Sequence, residues 1–149
     1  MLSHATSGWK DGWYVVPHEV TWRDLDAAGH VNNAVFLTYF EHGRTVYWLD
    51  MTAGESPGDL GFIVARTECD FIRQLSLRER IEIGTRLGRS GNTSIEFDSE
   101  VRLQSGELAA RGRVVVVHFS WQANRKTPIP EELRERIAGF QEETVPAER

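Results

Sequence analysis

The sequence is poor in cysteine and in long apolar runs. Cys69 is the only cysteine of the 149 residues, which excludes an intramolecular disulfide framework and a multi-cysteine metal site, and which fits a reducing compartment. The longest aliphatic run, residues 114–117, is far shorter than the roughly 20 residues that a membrane-spanning helix requires. Residues 1–15 contain no apolar segment of the signal-peptide kind. We therefore expect a cytoplasmic protein that does not enter a membrane.

Positive charge is also scarce. The chain has 17 Lys and Arg against 22 Asp and Glu, a formal net charge of -5 at pH 7. Nucleic-acid partners are held largely by clustered Lys and Arg that neutralise phosphates, so this balance argues against such a partner. An anionic small molecule would need a local basic patch. One domain is expected at this length, and burial of about 68–70% of the unfolded surface gives a core without disulfides or metals.

The chain divides into a short arm, one domain and a tail. Residues 1–14 show no periodicity, so we interpret them as an arm whose Trp9 and Trp13 pack on the body or on a partner subunit. The domain spans residues 15–141. The charged residues 142–149 are expected to form a flexible tail.

The most apolar segment is residues 34–51. Its apolar side chains cover nearly the whole circumference of a helix, which predicts a buried central helix. Residues 52–61 are rich in Gly and Pro and predict a loop. Pro128 and Pro130 precede a second, short helix at about residues 131–140, whose first turn is acidic as the helix dipole favours.

Other segments alternate with the period of two that is typical of strands. A first strand is predicted at residues 16–22, and four more are predicted at 61–72, 77–88, 94–103 and 108–121. Short turns between these four runs predict an antiparallel meander. Because a sheet with one apolar face must cover that face, we predict an α+β fold: a curved antiparallel sheet of about five strands wraps around the central helix, and a small helix follows at the C-terminus.

Polar side chains collect just before the central helix. The segment Asp24-Leu25-Asp26-Ala27-Ala28-Gly29-His30-Val31-Asn32-Asn33-Ala34 brings two carboxylates, a histidine and two amides to the helix N-terminus. The helix dipole favours an ionised carboxylate there, and unpaired N–H groups of the first turn can polarise a carbonyl and hold an oxyanion. Asn33 is the predicted N-cap, and Asn32 is the alternative one residue earlier.

This segment resembles the D-x-D-x-x-G-x-V-x-x-A-x-[YF] pattern of the hotdog-fold acyl-CoA thioesterases of the 4-hydroxybenzoyl-CoA thioesterase family. The resemblance also takes in five residues of the following helix, Phe36, Tyr39, Phe40, Glu41 and Arg44. In outline it extends over residues 16–121. It implies a hotdog fold and hydrolysis of an acyl-CoA or acyl-carrier thioester to the free acid and thiol. It also implies association of the chain as a homodimer or homotetramer.

The resemblance implies that Asp26, the second aspartate of the pattern, is the catalytic carboxylate. As a nucleophile it would form a mixed anhydride, and as a general base it would activate water; the sequence leaves both routes open. The backbone N–H near Asn33 is the expected oxyanion donor. His30 either orients the carboxylate or a water, or only shapes the loop. The alternative for Asp26 is a turn residue whose carboxylate bonds its own loop, and Asp24 is interpreted as loop support.

Six residues are assigned to substrate binding: Gly29, Asn32, Phe62, Ile63, Arg89 and Ser94. The first two lie in the loop. The next two are implied by the resemblance to line the acyl pocket, with core packing as the alternative. Related enzymes meet the nucleotide of coenzyme A at the turn that holds the last two. Because Arg89 is the only basic residue there, Arg125 and Lys126 are alternative phosphate contacts.

The helix carries one further candidate carboxylate. Glu41 lies three residues before Arg44, a spacing that predicts an ion pair on one helix face; a catalytic helix carboxylate, as in another branch of hotdog thioesterases, is the alternative. The scattered His18, His42 and His118 do not have metal-ligand spacing. We therefore expect no metal and no cofactor apart from the coenzyme A of the substrate.

Two other functions remain open. A hotdog hydratase or dehydratase would act on the same carrier-bound substrates, but its D-x-N-P-x-H and Pro-Gly histidine patterns are absent. The other is a non-catalytic module that binds acyl-CoA or an aromatic ligand.

Overall fold

The computed structural model describes residues 6–55 and 57–142. The elements of this part are β1 Gly8–Lys10, β2 Trp13–Glu19, a 3-10 helix Trp22–Asp24, α1 Asn33–Thr52, β3 Phe62–Phe71, β4 Arg80–Ser90, β5 Ser94–Leu103, β6 Leu108–Ser120, β7 Arg125–Lys126 and α2 Glu131–Glu142. Within these residues, no helix combines the length and the apolar character needed to cross a bilayer. The predicted tail lies outside the described residues, except that Glu142 ends α2.

The strands form one antiparallel sheet in the order β1-β2-β4-β5-β6-β3, and β7 pairs with the end of β6. The central helix α1 crosses one face of this sheet. Its Phe40, Tyr47 and Trp48 are fully buried against inward residues of the sheet such as Ile83 and Phe97. The predicted hotdog arrangement is therefore confirmed, with more strands than the five expected, because short strands form at both ends of the chain.

The strand order differs from the predicted meander. β4, β5 and β6 are consecutive neighbours, but β3 pairs with β6 rather than with β4. Residues 72–79 do not make a tight turn: the N–H groups of Ile72 and Arg73 donate to Ala109 O, and Arg78 N–H donates to Val20 O. This connection carries the chain past β6 and β5, so β3 becomes an edge strand of the sheet.

Residues 8–10 and 13–14, which we interpreted as part of an arm, lie in the sheet. A turn at Asp11 and Gly12, both with positive φ, joins β1 to β2. Trp9 packs on the body, where its ring lies 5.2 Å from Tyr14 and 6.1 Å from Tyr47. These aromatic contacts explain why an aperiodic segment becomes ordered.

The central helix is not buried all round. Its sheet-facing side is buried, whereas Glu41 and His42 are exposed and Leu37 is 40% exposed. The prediction of burial on every side is wrong for a single chain because the sheet covers only one face of α1. The predicted first strand also ends earlier than expected, at Glu19, and Trp22 is 70% exposed.

Candidate active site

The loop before α1 closes on itself. Leu25 and Val31 form an antiparallel bridge, Asp26 N–H donates to His30 O at 2.9 Å, and Gly29 N–H donates to Asp26 O at 3.1 Å. Gly29 has φ of +83°, a left-handed conformation that favours glycine. The backbone thus places Asp26 and His30 opposite each other at the base of one tight turn.

The Asp26 carboxylate is exposed to solvent. Its Oδ1 accepts a hydrogen bond from Ala28 N–H at 2.9 Å. This is the bond expected of a turn residue whose carboxylate binds its own loop, the alternative role considered for Asp26. Its Oδ2 has no hydrogen-bond partner among residues 6–55 and 57–142. One oxygen therefore holds the turn, and the other remains free to meet a substrate or a water.

The N-cap of α1 is Asn32. Its backbone is extended, with φ -60° and ψ 140°, and its Oδ1 accepts from Ala34 N–H at 2.8 Å. The prediction of Asn33 as the cap is wrong, and the alternative one residue earlier is confirmed. Asn33 is the first residue of the helix, and within the described chain its N–H has no acceptor. This free donor lies at the positive end of a 20-residue helix.

Asp24 supports the loop through three hydrogen bonds. Its Oδ2 accepts from Tyr39 O–H at 2.8 Å and from Thr21 N–H at 2.9 Å, and its carbonyl accepts from Asn32 N–H at 2.9 Å. Burial opposes ionisation of Asp24, but the bonds from Thr21 and Tyr39 outweigh burial, so its pKa is lowered. Burial, and then the Asp24 carboxylate, raise the pKa of Tyr39, which remains a donor.

The sequence interpretation did not identify Tyr39 as part of this support. The sequence did contain an indication of this role. Tyr39 lies in an apolar helix predicted to be buried, and a buried tyrosine hydroxyl usually has a hydrogen-bond partner. His18 also faces this group: its Nε2 is 3.8 Å from Asp24 Oδ2, and its ring lies 5.1 Å from that of Tyr39 and 6.0 Å from that of His42.

Glu41 and Arg44 do not form the predicted ion pair. Arg44 is 6% exposed, whereas Glu41 is exposed to solvent. Burial lowers the pKa of Arg44, an effect that the Glu41 charge opposes from a distance. The prediction is wrong because a spacing of three residues brings side chains close only when both lie on the same side of the buried stripe.

The predicted site residues fall into two groups. The loop group comprises Asp26, Gly29, His30, Asn32 and Asn33, and the far group comprises Phe62, Ile63, Arg89 and Ser94. The loop lies near the end of β3, where Phe36 contacts Phe71 at a ring distance of 5.5 Å and Val31 N–H bonds Leu75 O. A strand of ten residues is about 30 Å long, so one chain does not bring the two groups together.

The far group lies at the start of β3. Phe62 is 4% exposed and stacks on Trp48 with ring centroids 5.2 Å apart, while its edge contacts His118 at 5.3 Å. Within one chain Phe62 therefore packs in the core, and Ile63 beside it is half-buried. The acyl-pocket role assigned to these two residues needs a partner that brings the loop group to them.

A basic surface lies beside this end of the sheet. It comprises Arg89, Arg125, Lys126 and Arg134, of which none forms a salt bridge with any of the described residues. The Arg134 guanidinium donates to Ser90 Oγ at 3.0 Å and to Gly91 O at 2.9 Å. β7 lies next to the same turn because Phe119 pairs with Lys126 and His118 N–H donates to Thr93 O.

An exposed aromatic pair adjoins the basic surface. Trp121 is 74% exposed, and its ring lies 4.9 Å from that of Phe119 in an edge-to-face contact. No group of three or more His, Cys, Asp and Glu side chains in the described ranges is arranged to hold a metal ion.

Comparison with known proteins gives a consistent result. A family model described as the thioesterase-like superfamily matches residues 20–137. A thioesterase from Thermus thermophilus, solved in complex with coenzyme A and Zn, is 37% identical with a TM-score of 0.79, covering 89% of this chain and 98% of that one.

Two more distant proteins extend the comparison. Slr0204 from Synechocystis, a 1,4-dihydroxy-2-naphthoyl-CoA thioesterase, is 18% identical with a TM-score of 0.76 and covers 85% of this chain and 96% of its own; at that identity it shows the fold alone. The uncharacterized protein YsmA of Bacillus subtilis strain 168 is 25% identical over 118 residues, 79% of this chain and 80% of that protein.

Proposed function

Because this chain belongs to the thioesterase-like superfamily, we propose that it hydrolyses acyl-CoA thioesters with Asp26 as the reacting carboxylate and the Asn33 N–H as the oxyanion donor. That the protein is an acyl-CoA thioesterase rests on the family and on its thioesterase neighbours. The roles of the two residues rest on one observation above all: the free N–H of Asn33 lies at the positive end of α1, directly after the loop that carries Asp26.

The chemistry uses the two ends of this short segment. The thioester carbonyl oxygen accepts from Asn33 N–H, and the helix dipole stabilises the negative charge that develops there. Asp26 Oδ2 either attacks the carbonyl carbon, giving a mixed anhydride that water then cleaves, or takes a proton from the attacking water. In both routes the C–S bond breaks, and the products are the free acid and the thiol of coenzyme A.

The proposal includes a homodimer formed through β3. This strand has ten residues, and one of its edges has no neighbour among the described strands. Val64 on this strand and Phe71 at its end are 51% and 48% exposed. A long open edge is a template for pairing with another strand.

The proposed dimer would also bring the loop group of one subunit close to the far group of the other. When two copies of β3 pair antiparallel about a two-fold axis, the start of one strand lies beside the end of the other. The partner's Phe62 and the partner's Ile63 then approach the loop of Asp26. Each active site would take its carboxylate from one subunit and its acyl pocket partly from the other.

The basic surface is the proposed contact for the phosphates of coenzyme A. In the same dimer it lies at the Phe62 end of β3, and therefore on the side of the partner's catalytic loop. Arginine and lysine side chains without carboxylate partners can bind phosphate without first breaking an ion pair. Exposed Trp121 offers a stacking face for the adenine ring. The adenine contact is the feature that favours coenzyme A over a carrier protein, since a carrier protein brings no adenine ring.

Thiol release from a panel of acyl-CoA and enoyl-CoA substrates tests the reaction. We expect equal amounts of thiol and free acid. Hydration of an enoyl-CoA without thiol release would favour the hydratase alternative, and ligand-dependent thermal stabilisation without turnover would favour a binding module. The cytoplasmic location predicted from the sequence belongs to this proposal.

A further inference from the structure

We propose that Asp24 and Tyr39 are positioning residues that fix the Asp26 loop against the N-terminus of α1. This inference rests on the proposed function, because its catalytic consequence passes through Asp26. Its structural part, the fixing of the loop, can be measured without any turnover.

The loop is tied to α1 at two points through a single residue. The Asp24 carbonyl accepts from Asn32 N–H at 2.9 Å, and the Asp24 carboxylate accepts from Tyr39 O–H at 2.8 Å. Asn32 and Tyr39 are seven positions, or about two helical turns, apart. Asp24 is therefore held against the side of the helix as well as at its end, and residues 25–31 between these anchors carry Asp26.

The Tyr39 bond is protected from water. Tyr39 is 3% exposed, and the Asp24 side chain is 18% exposed. A hydrogen bond from a buried hydroxyl to a carboxylate is among the stronger kinds, and removing the hydroxyl leaves the carboxylate without one of its donors. Thr21 N–H at 2.9 Å is the other donor to the same oxygen. The loss of Tyr39 O–H would therefore loosen Asp24 from α1 while the bond from Thr21 N–H still holds it at the end of the 3-10 helix.

Asp24 itself is not placed to react. Its side chain is only 18% exposed, and its Oδ2 accepts from Thr21 N–H at the N-cap of the 3-10 helix and from Tyr39 O–H on the buried face of α1. The exposed carboxylate of the segment belongs to Asp26. The geometry thus separates the two aspartates into one that holds the loop and one that is presented by it.

The experiment compares three variants with the wild type. Tyr39→Phe removes the hydroxyl, whereas Asp24→Asn keeps an amide oxygen that can accept the same two hydrogen bonds. Tyr14→Phe is the matched control, since Tyr14 is 4% exposed and its hydroxyl bonds the Asp50 carboxylate at the other end of α1. For thiol release we expect Tyr39→Phe to lower kcat about 10- to 100-fold with little change in KM. Asp24→Asn should stay within about 3-fold of the wild type, and Tyr14→Phe should retain its kcat.

Amide hydrogen exchange supplies the measurement that needs no substrate. In Tyr39→Phe, the N–H groups of Asp26 and Asn32 should exchange faster, while those of β5 stay protected; in Tyr14→Phe the loop should be unchanged.

Unchanged loop exchange in Tyr39→Phe would overturn the positioning role, even for a protein without thioesterase activity. Faster exchange with wild-type kcat would overturn its catalytic consequence. A loss of kcat in Asp24→Asn as large as that in Asp26→Asn would make Asp24 a catalytic group and contradict the proposal. If the wild type released no thiol while the loop exchanged as expected, the proposed function would fail and the positioning role would stand.

Discussion

The rings of Phe36 and Phe71 meet edge to face, with centroids 5.5 Å apart and an interplanar angle of 79°. This contact joins the first turn of α1 to the last residue of β3. It places the Asp26 loop at one end of the edge strand, while Trp48 stacks on Phe62 at the other end. The proposed site is therefore complete only when a second copy of β3 pairs with the first in the opposite direction.

Val64→Glu should prevent this pairing. The substitution places a charge on the exposed edge, and in a two-fold dimer both copies carry it into the interface. Light scattering after size-exclusion chromatography should show a monomer, and thiol release should fall with the loss of the dimer. Gly8→Glu is the control, because it puts the same charge on the opposite edge strand, where a Cβ meets no atom within 4 Å. A Val64→Glu variant that remains dimeric would contradict pairing through β3.

The double substitution Arg125→Ala and Lys126→Ala should weaken binding of the coenzyme. These cations have no carboxylate partners among the described residues, so their loss removes phosphate contacts without freeing an acid. We expect KM for acyl-CoA to rise about 5- to 10-fold with little change in kcat, as for partly solvated charged hydrogen bonds.

Two controls accompany this measurement. An acyl-pantetheine substrate lacks the nucleotide, so its KM should not change in the double variant. Arg80→Ala removes another exposed arginine that lies at the start of β4, away from the basic surface, and it should leave both KM values unchanged. Equal effects on acyl-CoA and acyl-pantetheine would rule out a nucleotide contact.

Gly43→Ala should destabilise the fold where α1 crosses the sheet. A Cβ at Gly43 would lie 2.6 Å from Ile83 Cγ2 and 3.0 Å from Thr85 Oγ1. Overpacking of this kind costs about 1–3 kcal/mol in the free energy of unfolding. Gly139→Ala in α2 is the matched variant: a Cβ there meets nothing within 4 Å, so it should stabilise by about 0.5–1 kcal/mol. Urea unfolding of both variants checks that the free energy of unfolding changes in opposite directions.

The lowered pKa of Asp24 predicts a loss of stability in acid. Its folded pKa lies below that of the unfolded chain, about 3.9, so its contribution is fully present above that pH and is lost as the pH falls through the folded value. Asp24→Asn removes this ionisation, so the stability difference between wild type and variant should shrink from pH 5 toward about pH 2. A difference that stays constant would show that Asp24 does not titrate as the structure indicates.

Sequence patterns predicted well those helices and strands whose formation depends on residues close together in the sequence. The apolar run of α1 and the alternation of β4 to β6 depend on near neighbours, and their predicted positions agree with the structure to within a few residues. Asn32 and Asn33 can both cap a helix. Which of them does so depends on a tertiary bond, from Asn32 N–H to the Asp24 carbonyl, that no local pattern reveals.

The remaining differences also come from contacts distant in sequence. Alternation identified β3, but its place beside β6 rather than β4 depends on where residues 72–79 are anchored. Phe62 and Asp26 were assigned to one site by resemblance, and only the fold shows that they lie at opposite ends of the edge strand. The bond from Tyr39 to Asp24 joins residues 15 positions apart, beyond the reach of helix spacing rules.

Asp26→Asn is the most direct test of the central claim. The amide oxygen of asparagine can still accept from Ala28 N–H, the bond that Asp26 Oδ1 now makes at 2.9 Å, so the turn is retained while the reactive carboxylate is lost. Thiol release should fall at least about 100-fold, while a non-hydrolysable acyl-CoA thioether binds as it does to the wild type. Asp11→Asn, in the exposed β1–β2 turn, should keep full activity. If Asp26→Asn released thiol at the wild-type rate on every acyl-CoA hydrolysed, Asp26 would be only a turn residue and the catalytic assignment would be wrong.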